Sequence, residues 1–190
     1  MSSINVRTLE FWELGHELFR STVTTFPVQF IPGDIMDPSF LSLAPTLPTS
    51  FNAAPRVGFS LSSVRSLNEL RGHVSAIFTG AFFHLFTFDE QLHIARLLAG
   101  LLSPIPGSML IGVQGGLGTK GLWTPGQGTQ MHGHSPHSWR EMWEDIFAEA
   151  GAKVEVKARL RKEIGGDDFF GTWPGNTEPY HVLEWSVTRL

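Results

Sequence analysis

The sequence predicts an α/β domain: a mostly parallel sheet covered by helices and closed by an antiparallel C-terminal hairpin. Three observations carry this. The stretches "VSAIF" and "GSMLIGV" are apolar at successive positions, as strands buried on both faces are, and a helical pattern separates them, which is the order of a parallel β-α-β unit. A second helical stripe runs from Trp139 to Ala150. Two alternating runs, Val154 to Leu160 and "HVLEWSVTRL", then read as paired antiparallel strands at one sheet edge.

The elements follow in order. From Glu10 to Arg20, Phe11, Leu14, Leu18 and Phe19 recur at helical spacing opposite Glu13, His16 and Glu17, so an amphipathic helix is expected against the core. "FPVQFIPGD" reads as a short buried strand that ends at Asp34 in a Pro-Gly-Asp turn. Residues 36–66 hold prolines at 38, 45, 48 and 55 and little periodicity, which makes a long lid-like loop. The strand Val74 to Phe78 passes into a loop containing Gly80 and Ala81. Thr87 with Glu90 forms a capping-box signature, and Phe88, Leu92, Ala95 and Leu102 carry a helical stripe that stops before Pro104. After "GSMLIGV" the glycine-rich "QGGLGTKGLWTPGQG" reads as a flexible loop. Ser135 suits an N-cap and Pro136 a first helical position; Trp139, Met142, Trp143, Ile146 and Phe147 then face one way until Gly151 ends the helix. "GGDDFFGTWPGN" joins the last two strands, and Lys153, Lys157, Arg159 and Arg161 guard the edge.

Composition narrows the function classes. With 190 residues, 42% of them hydrophobic, one domain spanning 1–190 is expected. A net charge of −4 offers no basic field for a nucleic acid. The absence of cysteine excludes disulfides, thiolate nucleophiles and cysteine zinc sites. The opening "MSSINVRTLEFWELG" has no apolar run after a basic region, and the longest apolar stretch, Ala95 to Val113, is broken by Pro104 and Pro106. A cytoplasmic protein without a membrane segment is expected.

Three motifs bear on chemistry. His132 and His134, two apart in an extended segment, face the same way, and His137 can join them from the first helical turn; with no fourth ligand and a glycine between two of the three, a loop and helix cap is the better reading, and no metal is expected. "GVQGGLGTKG" lacks the Gly-Lys-Ser/Thr of a phosphate loop, because Thr119 precedes Lys120 and no helix opens there. Asp34 ends one expected strand while Gly80 to His84 follow another, which puts Asp34 and His84 on the rim where ligands bind in open parallel sheets; each alone also reads as a turn carboxylate or a packed histidine.

The run "FWELGHELFRS", "FIPGDIMDPSFL", "SAIFTGAFFHLFTFDEQLHIARLLAGLLSPIPGSMLIGVQGG", "HSPHSWREMWEDIF" and "LEWSVTRL" resembles the class I S-adenosylmethionine-dependent methyltransferases of fungal secondary metabolism, over nearly the whole chain from Phe11 onward. The resemblance implies a Rossmann-like sheet, with Asp34 and Ile35 meeting the adenine of S-adenosylmethionine and Thr79, Gly80, Ala81 and Phe82 lying along its methionine part. It also implies that His134, Ser135 and Trp139 lie near the substrate. In that family a first strand, a glycine-rich cofactor loop and a ribose-binding acid precede the "FWELG" helix, and here the chain starts almost at that helix, with only Glu10 near the acid's place. An N-terminally truncated sheet with an apolar gap is therefore expected. The function implied is methyl transfer to a small apolar metabolite, to oxygen in the first instance, with His134 or His84 as general base. The rival expectation is a non-catalytic remnant or assembly partner that oligomerises with itself through the unfilled strand position.

Overall fold

The computed structural model describes residues 4–48, 60–124, 130–162 and 181–190. Its elements are α1 (Ile4–Leu18), β1 (Ala76–Gly80), α2 (Phe88–Leu101), β2 (Met109–Gly115), β3 (Gly121–Trp123), β4 (Met131–Gly133), α3 (Pro136–Glu149), β5 (Val154–Lys162) and β6 (His181–Arg189). The main sheet has the order β1-β2-β6-β5. β1 and β2 are parallel, joined through α2, whereas β6 runs antiparallel to both β2 and β5. The sheet is thus mixed, its parallel part being the β-α-β unit and its antiparallel part the C-terminal hairpin. The joining segment "GGDDFFGTWPGN" lies outside the described residues.

Both helices of the compact unit begin where the sequence puts them. Thr87 Oγ1 accepts from Glu90 N–H while Glu90 Oε2 accepts from Thr87 N–H at 2.8 Å, satisfying two of the donors a helix start leaves open. Ser135 caps α3 by accepting from Ser138 N–H at 3.1 Å, with Pro136 at the first position. Gly151, at φ 63, ends α3 in the left-handed conformation that glycine adopts without strain.

The register separates the two faces of the sheet. Thr79, Gly112, Trp185 and Ala158 form one row; Phe78, Ile111, Ser186 and Lys157 form the adjacent row on the opposite face. α2 and α3 cover the first face. Trp139 and Trp143 of α3 stand 5.0 and 5.9 Å from the Trp185 ring, and Ile94, Leu97, Leu110, Phe147, Leu183 and Val187 complete the core. Gly112 makes room for that indole, since a Cβ there would lie 2.5 Å from Trp185 Cζ2.

The second face is open among the described residues. Phe78 is 68% exposed and Ile111 also faces solvent, so β1 alternates rather than being buried on both sides as expected. The outer edge of β1 is likewise unpaired among the described residues.

Three further expectations are corrected. "FPVQFIPGD" forms no strand, because extended backbone without a neighbouring strand to receive its hydrogen bonds stays irregular. α1 forms but does not pack on the core: Phe11, Leu14, Leu18 and Phe19 are all exposed, and Trp12 stacks instead on Phe30 at 4.8 Å. The glycine-rich segment after β2 is partly built, for β3 and β4 pair in a short ribbon, and residues 125–129 within it lie outside the described set.

The described part of the 36–66 loop runs toward the end of the sheet opposite Gly80 and Gly115. Leu41 is buried in the core, Ala44 O lies against Gly100 in the last turn of α2, and Leu47 O accepts from Arg189 at the end of β6. No described helix is long and apolar enough to cross a membrane.

Candidate functional site

The carboxyl ends of β1 and β2, the 3-10 turn Phe83–Leu85, β4 and the start of α3 converge on one rim. β1 ends as Gly80 passes into Ala81, which adopts φ 50 and donates its N–H to Val113 O at 2.7 Å. That turn swings Phe83 onto Trp139, 4.9 Å between ring centroids, and brings His84 over the end of β2. On the far side Gly116 bridges to His134, whose carbonyl accepts from Leu117 N–H at 3.0 Å.

The two candidate bases differ in chemistry. Gly115 N–H donates to His84 Nδ1 at 3.3 Å, and a backbone N–H can only donate, so neutral His84 carries its proton on Nε2. Burial holds its pKa below the ordinary 6.5. In that state His84 Nε2–H is a hydrogen-bond donor. His134 Nδ1 lies 2.9 Å from Ser138 Oγ, and its Nε2 is buried without a hydrogen-bond partner. Burial first, and the charge of Lys120 second, push its pKa down to about 4, against the hydrogen bond with Ser138. Both rings are therefore neutral at pH 7.

The three clustered histidines divide by surroundings. His132 and His134 do face the same way, with ring centroids 5.0 and 5.3 Å from that of Phe88. His137 turns to solvent on the helix, 3.3 Å from Glu141 Oε1.

The remaining expected site residues sort into those at the rim and those beneath it. Gly80 is exposed, Phe82 stands edge-on to Phe83 and Phe86, and Thr79 Oγ1 is buried without a partner. Ser135 is occupied as the α3 cap, and Trp139 is fully buried in the core. Asp34 sits in a turn. Its Oδ1 accepts from Met36 N–H at 2.9 Å, a local turn that leaves Ile35 packed against the core. Asp34 borders a cavity of about 390 Å³ lined also by Gly33, Asp37, Phe40, Arg65 and Ser66. Thr79 to Phe82 are not among the residues that line that cavity.

Two residues at the rim carry no motif in the sequence. Gln91, fully buried in the first turn of α2, donates from Nε2 to Phe86 O at 2.8 Å and to His132 O at 3.0 Å, tying α2 to β4. Lys120 places Nζ 4.5 Å from the centroid of the Phe88 ring. A polar residue on the apolar side of α2 was the available signal for Gln91; nothing local marks Lys120.

No known protein-family pattern matches the chain. It is, however, similar over most of its length to curated fungal proteins. The O-methyltransferase phiE of a fungal species is 29% identical over 192 residues, which cover 94% of this chain and 55% of phiE. The O-methyltransferase atr3 of Stereocaulon alpinum is 30% identical over 184 residues, covering 95% of this chain and 44% of atr3. The asnovolin E/chermesin D methyltransferase nvfJ of Aspergillus novofumigatus is 25% identical over 145 residues, 76% of this chain and 43% of nvfJ. The resemblance to methyltransferases of fungal secondary metabolism thus holds, and the chain spans about half the length of the relatives it matches.

Proposed function

We propose that this chain forms the acceptor-side half of a Rossmann-like, class I S-adenosylmethionine-dependent methyltransferase that methylates an oxygen of a small apolar metabolite. One observation carries the reading: two buried histidines stand at the carboxyl ends of parallel strands, His84 on Gly115 N–H and His134 beside Gly116 with an unpartnered Nε2, at the place where open α/β sheets bind ligands. When bound, the cofactor supplies an electrophilic methyl group, and the protein's task is to hold the acceptor aligned and dry. His134 Nε2 is the atom suited to take the acceptor's proton, once Nδ1–H donates to Ser138 Oγ and leaves Nε2 as a bare lone pair. The Ser138 hydroxyl then turns to Ser135 O, 3.3 Å away. His84 Nε2–H is the complementary donor, suited to an oxygen of the ligand.

The fit of these residues to the cofactor is to one end. The Asp34 carboxylate beside its 390 Å³ cavity is suited to an adenine amino group, whereas Thr79 to Phe82 stand apart from it. Calorimetric titration with S-adenosylhomocysteine tests this. The chain by itself is expected to bind poorly, and co-expression with the part of phiE that it does not align with is expected to restore binding. Asp34→Ala in that complex should then weaken binding roughly ten- to a hundred-fold, the loss of one hydrogen bond to a charged group. Full binding by the Asp34 variant, or no binding by the complex, overturns the reading.

A second reading is favoured by the open sheet face and the exposed side of α1: an assembly partner without catalysis of its own. It predicts stable self-association in sedimentation and no cofactor binding in any combination.

A further inference from the structure

His134 is only 2% exposed, so a base at this position needs a way in. Two rings seal it. Trp139 lies 5.2 Å away on the core side, itself fully buried and held by Phe83 and Trp185. Phe88 lies 5.3 Å away on the outer side, half-buried, and it is the first residue of α2. Of the two rings, Phe88 is the less buried. Over its face sits the ammonium of Lys120, 4.5 Å from the centroid, and Lys120 has no carboxylate partner among the described residues.

We propose that Phe88 is the movable wall between His134 and the acceptor, with Lys120 as the latch that keeps it shut. The closed arrangement leaves His134 Nε2 as an orphaned buried polar atom, which disfavours it. The open arrangement exposes the Phe88 ring but lets water or a substrate hydroxyl satisfy Nε2. The two costs oppose each other, which keeps both states accessible. Lys120, reaching across from the start of β3, biases the balance toward closure through its contact with the ring. Phe88 and Lys120 are thus positioning residues: they decide when His134 meets an acceptor and take no proton themselves.

The inference rests on reading His134 as the acceptor's base, but its test needs neither methyl donor nor acceptor, so the two can fail separately. Diethyl pyrocarbonate modifies exposed neutral imidazoles. At pH 7.5 His134 is neutral, so its rate reports access, with exposed His137 as the internal reference and mass-spectrometric fragmentation locating each product. In the unsubstituted chain His134 should react at least roughly tenfold more slowly than His137, as expected for a site that reacts only on local opening. Lys120→Met should raise the His134 rate several-fold, and Phe88→Ala should bring it close to that of His137. Equal rates for the two histidines in the unsubstituted chain would overturn the proposal. So would continued protection of His134 in both variants when circular dichroism shows them folded. If Phe88→Ala does not fold, Lys120→Met decides alone, and an unchanged His134 rate in it removes the latch.

Discussion

α1 and α3 carry the same kind of pattern and meet different fates. In each, large apolar residues recur at helical spacing, and each forms a helix. Trp139 and Trp143 of α3 are fully buried, while Leu18 of α1 is 72% exposed. The difference lies in the partner surface. α3 meets a face of the sheet where Gly112 is absent as a side chain and Trp185 projects, so the indoles interlock. α1 meets no such face, although one exists in the molecule, where Phe78 and Ile111 stand open. Periodicity specifies a helix and the side it offers; burial also requires a second surface brought within reach.

The largest expected effect tests the buried half of this contrast. Trp143→Ala should cost about 3–5 kcal/mol, because the vacated volume lies among the packed rings of Phe83, Trp139 and Trp185. Urea unfolding monitored by circular dichroism measures it. A loss within ordinary surface scatter would mean that α3 is no better seated than α1.

Acid should loosen the same half. His134 has a folded pKa of about 4 against an ordinary 6.5, and burial lowers His84 as well. A histidine whose folded pKa is depressed stays neutral in the folded state while the unfolded chain protonates. Its contribution to stability is therefore complete above about pH 6.5 and is lost progressively as pH falls toward 4. For His134 the loss amounts to about 3 kcal/mol at most. Stability measured at pH 7.5 and 4.5 should differ accordingly, and His134→Gln should flatten much of the slope. An unchanged slope in that variant would place the titration elsewhere.

What could be read beforehand follows the same division. The caps at Thr87 and Ser135, the stop at Gly151 and the pairing of β5 with β6 were legible because each depends on residues close in sequence or on a strict alternation. The absence of a strand at 26–34 was not, since "FPVQFIPGD" has a strand's composition and lacks only a neighbour, which no local pattern reports. At the site, His84 and His134 were recognisable as residue types beside strand ends. The tautomer of His84 was not, because it depends on Gly115 N–H, thirty-one positions from His84. Lys120 fits no phosphate-loop pattern, and its place over Phe88 arises only when the β3–β4 ribbon folds back on α2.

The smallest expected effect sharpens the comparison most. Leu14→Gln with Leu18→Gln keeps helix propensity nearly constant while removing two leucines from the apolar side of α1. Both side chains are exposed, so the folding free energy should change by no more than about 0.5 kcal/mol, the scatter of ordinary surface substitutions. Sedimentation should respond instead, because removing exposed apolar area weakens any self-association that area drives. If the double variant loses as much stability as a core substitution at every protein concentration, α1 is buried within its own chain in solution. The open sheet face, with Phe78 and Ile111, is then the surface within reach, and the contrast between the two helices would be one of strength rather than kind. If the loss appears only at high concentration, the stabilising partner is a second copy, and the exposed side of α1 belongs to an interface between chains.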